Sequence, residues 1–112
     1  MESTYNGWRN NETWVTNLWL SNDEGTYEYW RDSAREAWRH AEATDLFTRE
    51  EVARHDLARR LKDEIEESNP CPEAGLFSDL LNAALSDIDW HEVADAFLEN
   101  FPDEEQGERD EA

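Results

Sequence analysis

The segment TREEVARHDLARRLKDEIEE, residues 48–67, decides the fold class. Its apolar residues Val52, Ala53, Leu57, Leu61 and Ile65 recur at three- and four-residue steps, which puts them on one stripe of a helix. Thr48 followed by Glu51 has the spacing of a capping box, in which the hydroxyl and the carboxylate each accept a hydrogen bond from the other residue's backbone amide. Pro70 and Pro72 cannot continue a helix interior, so residues 68–72 close the element. The spacing predicts a helix over 49–67, the longest of the chain, followed by a linker.

The same period extends in both directions. Upstream, Asn11 caps a helix from about Glu12 to Ser21 with Trp14, Val15, Leu18 and Trp19 on one stripe. Thr26 caps a second helix whose core face is Tyr27, Trp30, Ala34, Ala37, Trp38 and Ala41. Downstream, Leu76 to Ser86 carries Phe77, Leu80, Leu81, Ala84 and Leu85, and Asp89 with Glu92 caps a last helix whose Val93, Ala94, Phe97 and Phe101 face inward. Residues 87–89 join the last two helices as an αα-hairpin. Before them all, residues 1–11 form an irregular arm anchored by Tyr5 and Trp8. No stretch alternates apolar and polar residues for long enough to argue a strand.

The expected fold is therefore all-α, a compact bundle of about five helices with an irregular N-terminal arm. Residues 1–101 form one helical domain and 102–112 a flexible acidic tail. The expected core is Trp14, Leu18, Trp19, Trp30, Trp38, Leu57, Leu61, Leu81 and Phe97. Six tryptophans in 112 residues give a small core large apolar surfaces to bury.

Charge divides the chain at the linker. Residues 63–112 hold seventeen acids against one base, Arg109, whereas residues 1–62 are nearly balanced at twelve against nine. A half-molecule of this kind attracts basic protein surfaces or cations and repels nucleic acid and anionic lipid. Lys62 is the single lysine beside nine arginines, a balance that also fits adaptation to molar salt, where the Debye length shrinks to about 3 Å. One cysteine, Cys71, excludes an internal disulfide and reads as an intracellular thiol. With no signal pattern at the start and no apolar run of membrane length, a cytoplasmic protein of the host cell is expected.

Catalytic chemistry finds little support. His40, His55 and His91 lie on different helices, and none has an acid three residues before it, so neither a helical di-iron element nor a zinc site is expected. Asp87, Asp89 and Glu92 are dense enough to invite a hard cation, but a helix cap accounts for two of the three. Cys71 stands between two prolines with no base to activate its thiol. The four glycines are isolated, which leaves no phosphate loop. The arginines of helices 2 and 3 alternate with acids, as in ion-paired solvent faces. No catalytic residue, metal or cofactor is expected.

Tyr5, Asn6, Gly7 and Trp8, then Asn10 or Asn11, Glu12, Thr13 and Trp14, on through Asn17, Leu18, Trp19 and Leu20 to Asn22 and Asp23, resemble the opening of a family of small uncharacterised phage, plasmid and archaeal proteins. Asp89, Trp90, Glu92, Val93 and Ala94 are similar to the end of some members. The resemblance implies a mobile-element setting and a compact fold, and supplies no catalytic residues. By size and acidity alone the chain also resembles the DNA-mimicking inhibitors that phages use against restriction or CRISPR systems.

These readings converge on a non-enzymatic binding protein. Its expected partner-binding carboxylates are Asp79, Asp87, Asp89, Glu92, Asp95, Glu99, Asp103, Glu104 and Glu105, of which Asp89, Glu92, Asp95 and Glu99 follow one helical face. The expected partner is a basic protein surface such as a nucleic-acid-binding defence complex, with no direct nucleic acid and no membrane. Two alternatives remain open at this point: a halophile's helical domain whose acids serve solubility, and a homodimer formed through tryptophans that one core cannot bury.

Overall fold

The longest helix forms where the 48–67 segment places it. In the computed structural model, which describes residues 6–99, α3 spans Arg49–Glu67 and both halves of its box are made. The Glu51 amide donates to Thr48 Oγ1 at 3.1 Å and the Thr48 amide donates to Glu51 Oε1 at 3.0 Å. The bond from the Thr48 amide, with the one at its hydroxyl, holds the Glu51 carboxyl below its ordinary range, because both favour the charged form.

Around α3 stand α1 (Asn11–Asn22), α2 (Glu24–His40), α4 (Leu76–Asp87) and α5 (Trp90–Leu98), which make the chain a compact all-α bundle of five helices with no sheet among the described residues. Helices α2 and α5 pack on α3 and on each other, α1 lies against α2 and α5, and α4 packs chiefly on α1. Trp30, Trp38, Leu57, Leu61, Val93 and Phe97 fill the centre, each worth about 1.5–3 kcal/mol of burial for an aliphatic or aromatic side chain of this size. No described helix is long and apolar enough to cross a membrane.

Two helix starts differ from expectation by a few residues. Asn10, not Asn11, caps α1, accepting from the Thr13 amide at 2.9 Å. Asp23, not Thr26, caps α2: the Thr26 amide and hydroxyl both donate to its carboxylate, at 3.0 and 2.7 Å. Both residue types cap well, but the aspartate adds a negative charge at the positive end of the helix. The hydroxyl bond foremost, then the amide bond, lowers the Asp23 carboxyl from its ordinary range. Asp23 is extended (φ −89°, ψ 120°) and is the single residue between α1 and α2. Helix α2 ends under Arg49, which donates to the Trp38 carbonyl at 2.8 Å and stacks 4.1 Å from that ring's centroid.

The core expectations hold for Trp30, Trp38, Leu57, Leu61 and Phe97, which are buried, whereas Trp14, Leu18 and Leu81 are half-buried. Trp19 is a correction: it is 72% exposed. The residues that α1 turns inward are Thr13, fully buried, and Leu20, packed against the core. At about 100° per residue Trp19 lies roughly a third of a turn from that line. Polar contacts of Thr13, described below, fix the rotation of α1 against its apolar period.

Helix α4 departs in the same sense. Phe77 and Leu80, expected inside, are 74% and 58% exposed, while Ser78 is buried. With α1 as its main neighbour, α4 can cover only one side. Preceding α1, Asn6 (φ 50°) and Gly7 (φ 87°) are both left-handed, a pair of conformations that asparagine and glycine tolerate best. Trp8 is half-buried. The expected roles of Tyr5 and Phe101, and the tail over 102–112, lie outside the described residues.

Candidate functional site

A polar junction links the start of α1 to the turn between α4 and α5. Thr13 Oγ1 donates to Asn10 Oδ1 at 2.6 Å and accepts from the Asp89 amide at 2.9 Å. Asn10 Nδ2 donates to the Asp87 carbonyl at 2.6 Å. One residue earlier, the Arg9 amide donates to Glu92 Oε1 at 2.9 Å and the Arg9 guanidinium lies 3.6 Å from Asp89 Oδ2. The chain's opening and the segment from Asp87 to Glu92 therefore meet. Sequence spacing placed the cap one residue late, at Asn11, and held no sign of the long-range bonds.

The junction explains why α5 lacks a complete capping box. Asp89 does cap it, accepting from the Glu92 amide at 3.1 Å. The reciprocal positions are taken by the arm and the start of α1, since Thr13 receives the Asp89 amide and Glu92 receives that of Arg9. Two of the three carboxylates that could have gathered round a hard cation, Asp89 and Glu92, are thus spent on a helix cap and on Arg9. Among the described residues no group of three or more histidine, cysteine or acidic side chains could hold a metal ion.

Beside the junction opens a cleft of about 510 Å³ between α3 and the α4–α5 turn. Arg9, Arg59 and Lys62 line it with His55 and His91, opposed by Asp87 and Asp89, and Trp90 forms part of the wall. The His55 and His91 rings are 5.8 Å apart between centroids. The cleft is locally cationic in an otherwise anionic molecule. Ser86, the one hydroxyl in this lining, donates to the Asn82 carbonyl one turn back, at 2.9 Å, and so is not poised on a histidine.

The candidate partner-binding carboxylates divide by environment. Asp79, Asp87 and Glu99 are exposed, and their carboxylates make no ion pair among the described residues. Asp89 and Glu92 are half-buried in the junction. Asp95 is exposed but lies 3.5 Å from Arg54 of α3. The row Asp89, Glu92, Asp95 and Glu99 follows one side of α5, and three of its members are engaged within the molecule. Asp103, Glu104 and Glu105 lie outside the described residues. On the faces of α2 and α3, Arg35 pairs with Asp32 at 3.3 Å and Arg60 with Glu36 at 3.6 Å, as expected of ion-paired solvent faces.

A family model matches residues 1–99, and the chain belongs to that family, described as a family of unknown function, DUF7249. No curated protein and no solved structure matches the chain.

Proposed function

We propose that this chain is a non-enzymatic acidic binding protein that engages a basic protein surface, in its sharpest form as a DNA mimic acting inside a host cell against a restriction or CRISPR defence complex. The observation that carries the reading is the seventeen-to-one excess of acids over bases in residues 63–112. Helices α4 and α5 hold no lysine or arginine, so their acids can be neutralised only by bases from elsewhere. Arg9 and Arg54 reach Asp89 and Asp95, while Asp79, Asp87 and Glu99 stay open to a partner. The steps of three and four residues along Asp89, Glu92, Asp95 and Glu99 set carboxylate stems at intervals similar to those of successive backbone phosphates.

The test is capture of a nucleic-acid-binding defence complex from host extract at the host's ionic strength, with DNA as competitor. Asp79→Asn, Asp87→Asn and Glu99→Gln together should weaken capture without touching the junction, and both DNA and added salt should release the complex. Capture that is undiminished by the triple change and by DNA would remove the mimicry claim. A second reading, that the acids serve solubility in molar salt, draws on the single lysine against nine arginines. It predicts reversible unfolding in dilute buffer, where the Debye length lengthens from about 3 Å at 1 M salt to about 30 Å at 0.01 M, and recovery on adding any screening salt.

A further inference from the structure

We infer that the outer face of α4 is a docking surface for a cationic amphipathic helix of the partner, seated on Leu76, Phe77 and Leu80. These side chains are 69%, 74% and 58% exposed, and they fall within one arc of the helix. The buried position of α4 is held instead by Ser78. Exposed apolar residues scattered singly are ordinary, but three on one arc of a twelve-residue helix form a patch, and such patches mark interaction sites. The neighbouring helix α1 turns Trp19 outward as well.

Charge selects the occupant. Asp87 lies eleven residues after Leu76, close to three full turns, and so shares its face; Asp79 flanks the patch and Glu73 precedes it, all exposed. No lysine or arginine occurs from Asp63 to Glu99. A second copy would bring a charge of −19 against −19, whereas a helix with leucines on one side and lysines or arginines beside them meets both the patch and its acidic rim. This inference rests on the acidic-binder reading, and it adds that apolar contact, not charge alone, supplies the recognition.

The probes are an eighteen-residue peptide with leucines at helical three- and four-residue spacing and lysines elsewhere, and a scrambled peptide of identical composition, both titrated onto the full chain. The ordered peptide should bind at least tenfold tighter than the scrambled one, and Phe77→Ser with Leu80→Ser should abolish that difference while leaving thermal melting unchanged. Leu76→Ser repeats the test with a smaller change if the pair does not fold. Equal affinity for both peptides, insensitive to these substitutions, would overturn the docking face and leave the charge-based reading standing. Failure of both peptides to bind would overturn the two together. A concentration-dependent dimer in sedimentation that the same substitutions dissolve would assign the face to a second copy and overturn the proposed occupant.

Discussion

Replacing Thr13 with valine isolates the polar junction from packing. The two side chains have nearly the same shape, so the substitution leaves no large cavity, but it removes both hydrogen bonds of a fully buried hydroxyl. The Asp89 amide then loses its acceptor in a partly buried position, and Asn10 Oδ1 keeps only the Thr13 amide. An unsatisfied buried donor costs about 1–3 kcal/mol, and the lost bond to Asn10 adds about 1 kcal/mol at most. A total near 2 kcal/mol corresponds to a fall in Tm of roughly 8–16 °C for a domain of this size. Urea denaturation of the wild type, Thr13→Val and Thr13→Ser measures it, with serine expected to retain most of the stability because it keeps the hydroxyl. Coupling of about 0.5–3 kcal/mol should appear in a cycle with Asn10→Ala. A valine variant within about 0.5 kcal/mol of wild type would refute the claim that the junction fixes α1.

The exposures of the tryptophans make a paired prediction: Trp38→Ala should cost about 3–5 kcal/mol, whereas Trp19→Ala should stay within about 0.5 kcal/mol, both read by the same denaturation curves. Gly7→Ala should cost about 1–2 kcal/mol, because φ 87° penalises any Cβ even though the space beside it is open; differential scanning fluorimetry would show the shift. The Glu51 carboxyl is depressed in the folded chain relative to its ordinary value of 4.5, so its contribution is complete above that value and disappears as pH falls through the lower folded value. The Tm difference between wild type and Glu51→Gln should therefore be present at pH 7 and fade in acid; a difference that persists unchanged at pH 2 would contradict the capping role.

Local chemistry was legible where a helix carried its own signals. The Thr48–Glu51 box and the paired prolines marked α3 because cap and breaker act within a few residues, and the period of Leu57 and Leu61 named the core face. Asp89 was equally readable as a cap. Rotation of α1 was not, since Trp14, Val15, Leu18 and Trp19 make an apolar stripe that the helix does not turn fully inward. What decides it is a hydroxyl meeting an amide 76 positions away, and no local period encodes that contact. Helix α4 misled for a related reason: its apolar arc is genuine, but the bundle supplies too few neighbours to cover it. Of the candidate carboxylates, sequence gave the helical row on α5 but not the partners that Arg9 and Arg54 provide.

The closure of the first helix by the last turn constrains how the chain is made. Asn10 waits for Asp87 and Arg9 for Glu92, separations of 77 and 83 positions. At synthesis rates of about 5–20 residues per second, roughly 4–17 s pass between the emergence of one partner and the other. Throughout that interval Thr13 keeps its local bond to Asn10 but lacks the Asp89 amide, and α1 has α2 but not α5 to pack on. A ribosome stalled inside α4 would hold a segment rich in tryptophan without α5, the helix that packs on α1, α2 and α3. Closure of the junction is therefore a late event, which follows the pairing of α1 with α2.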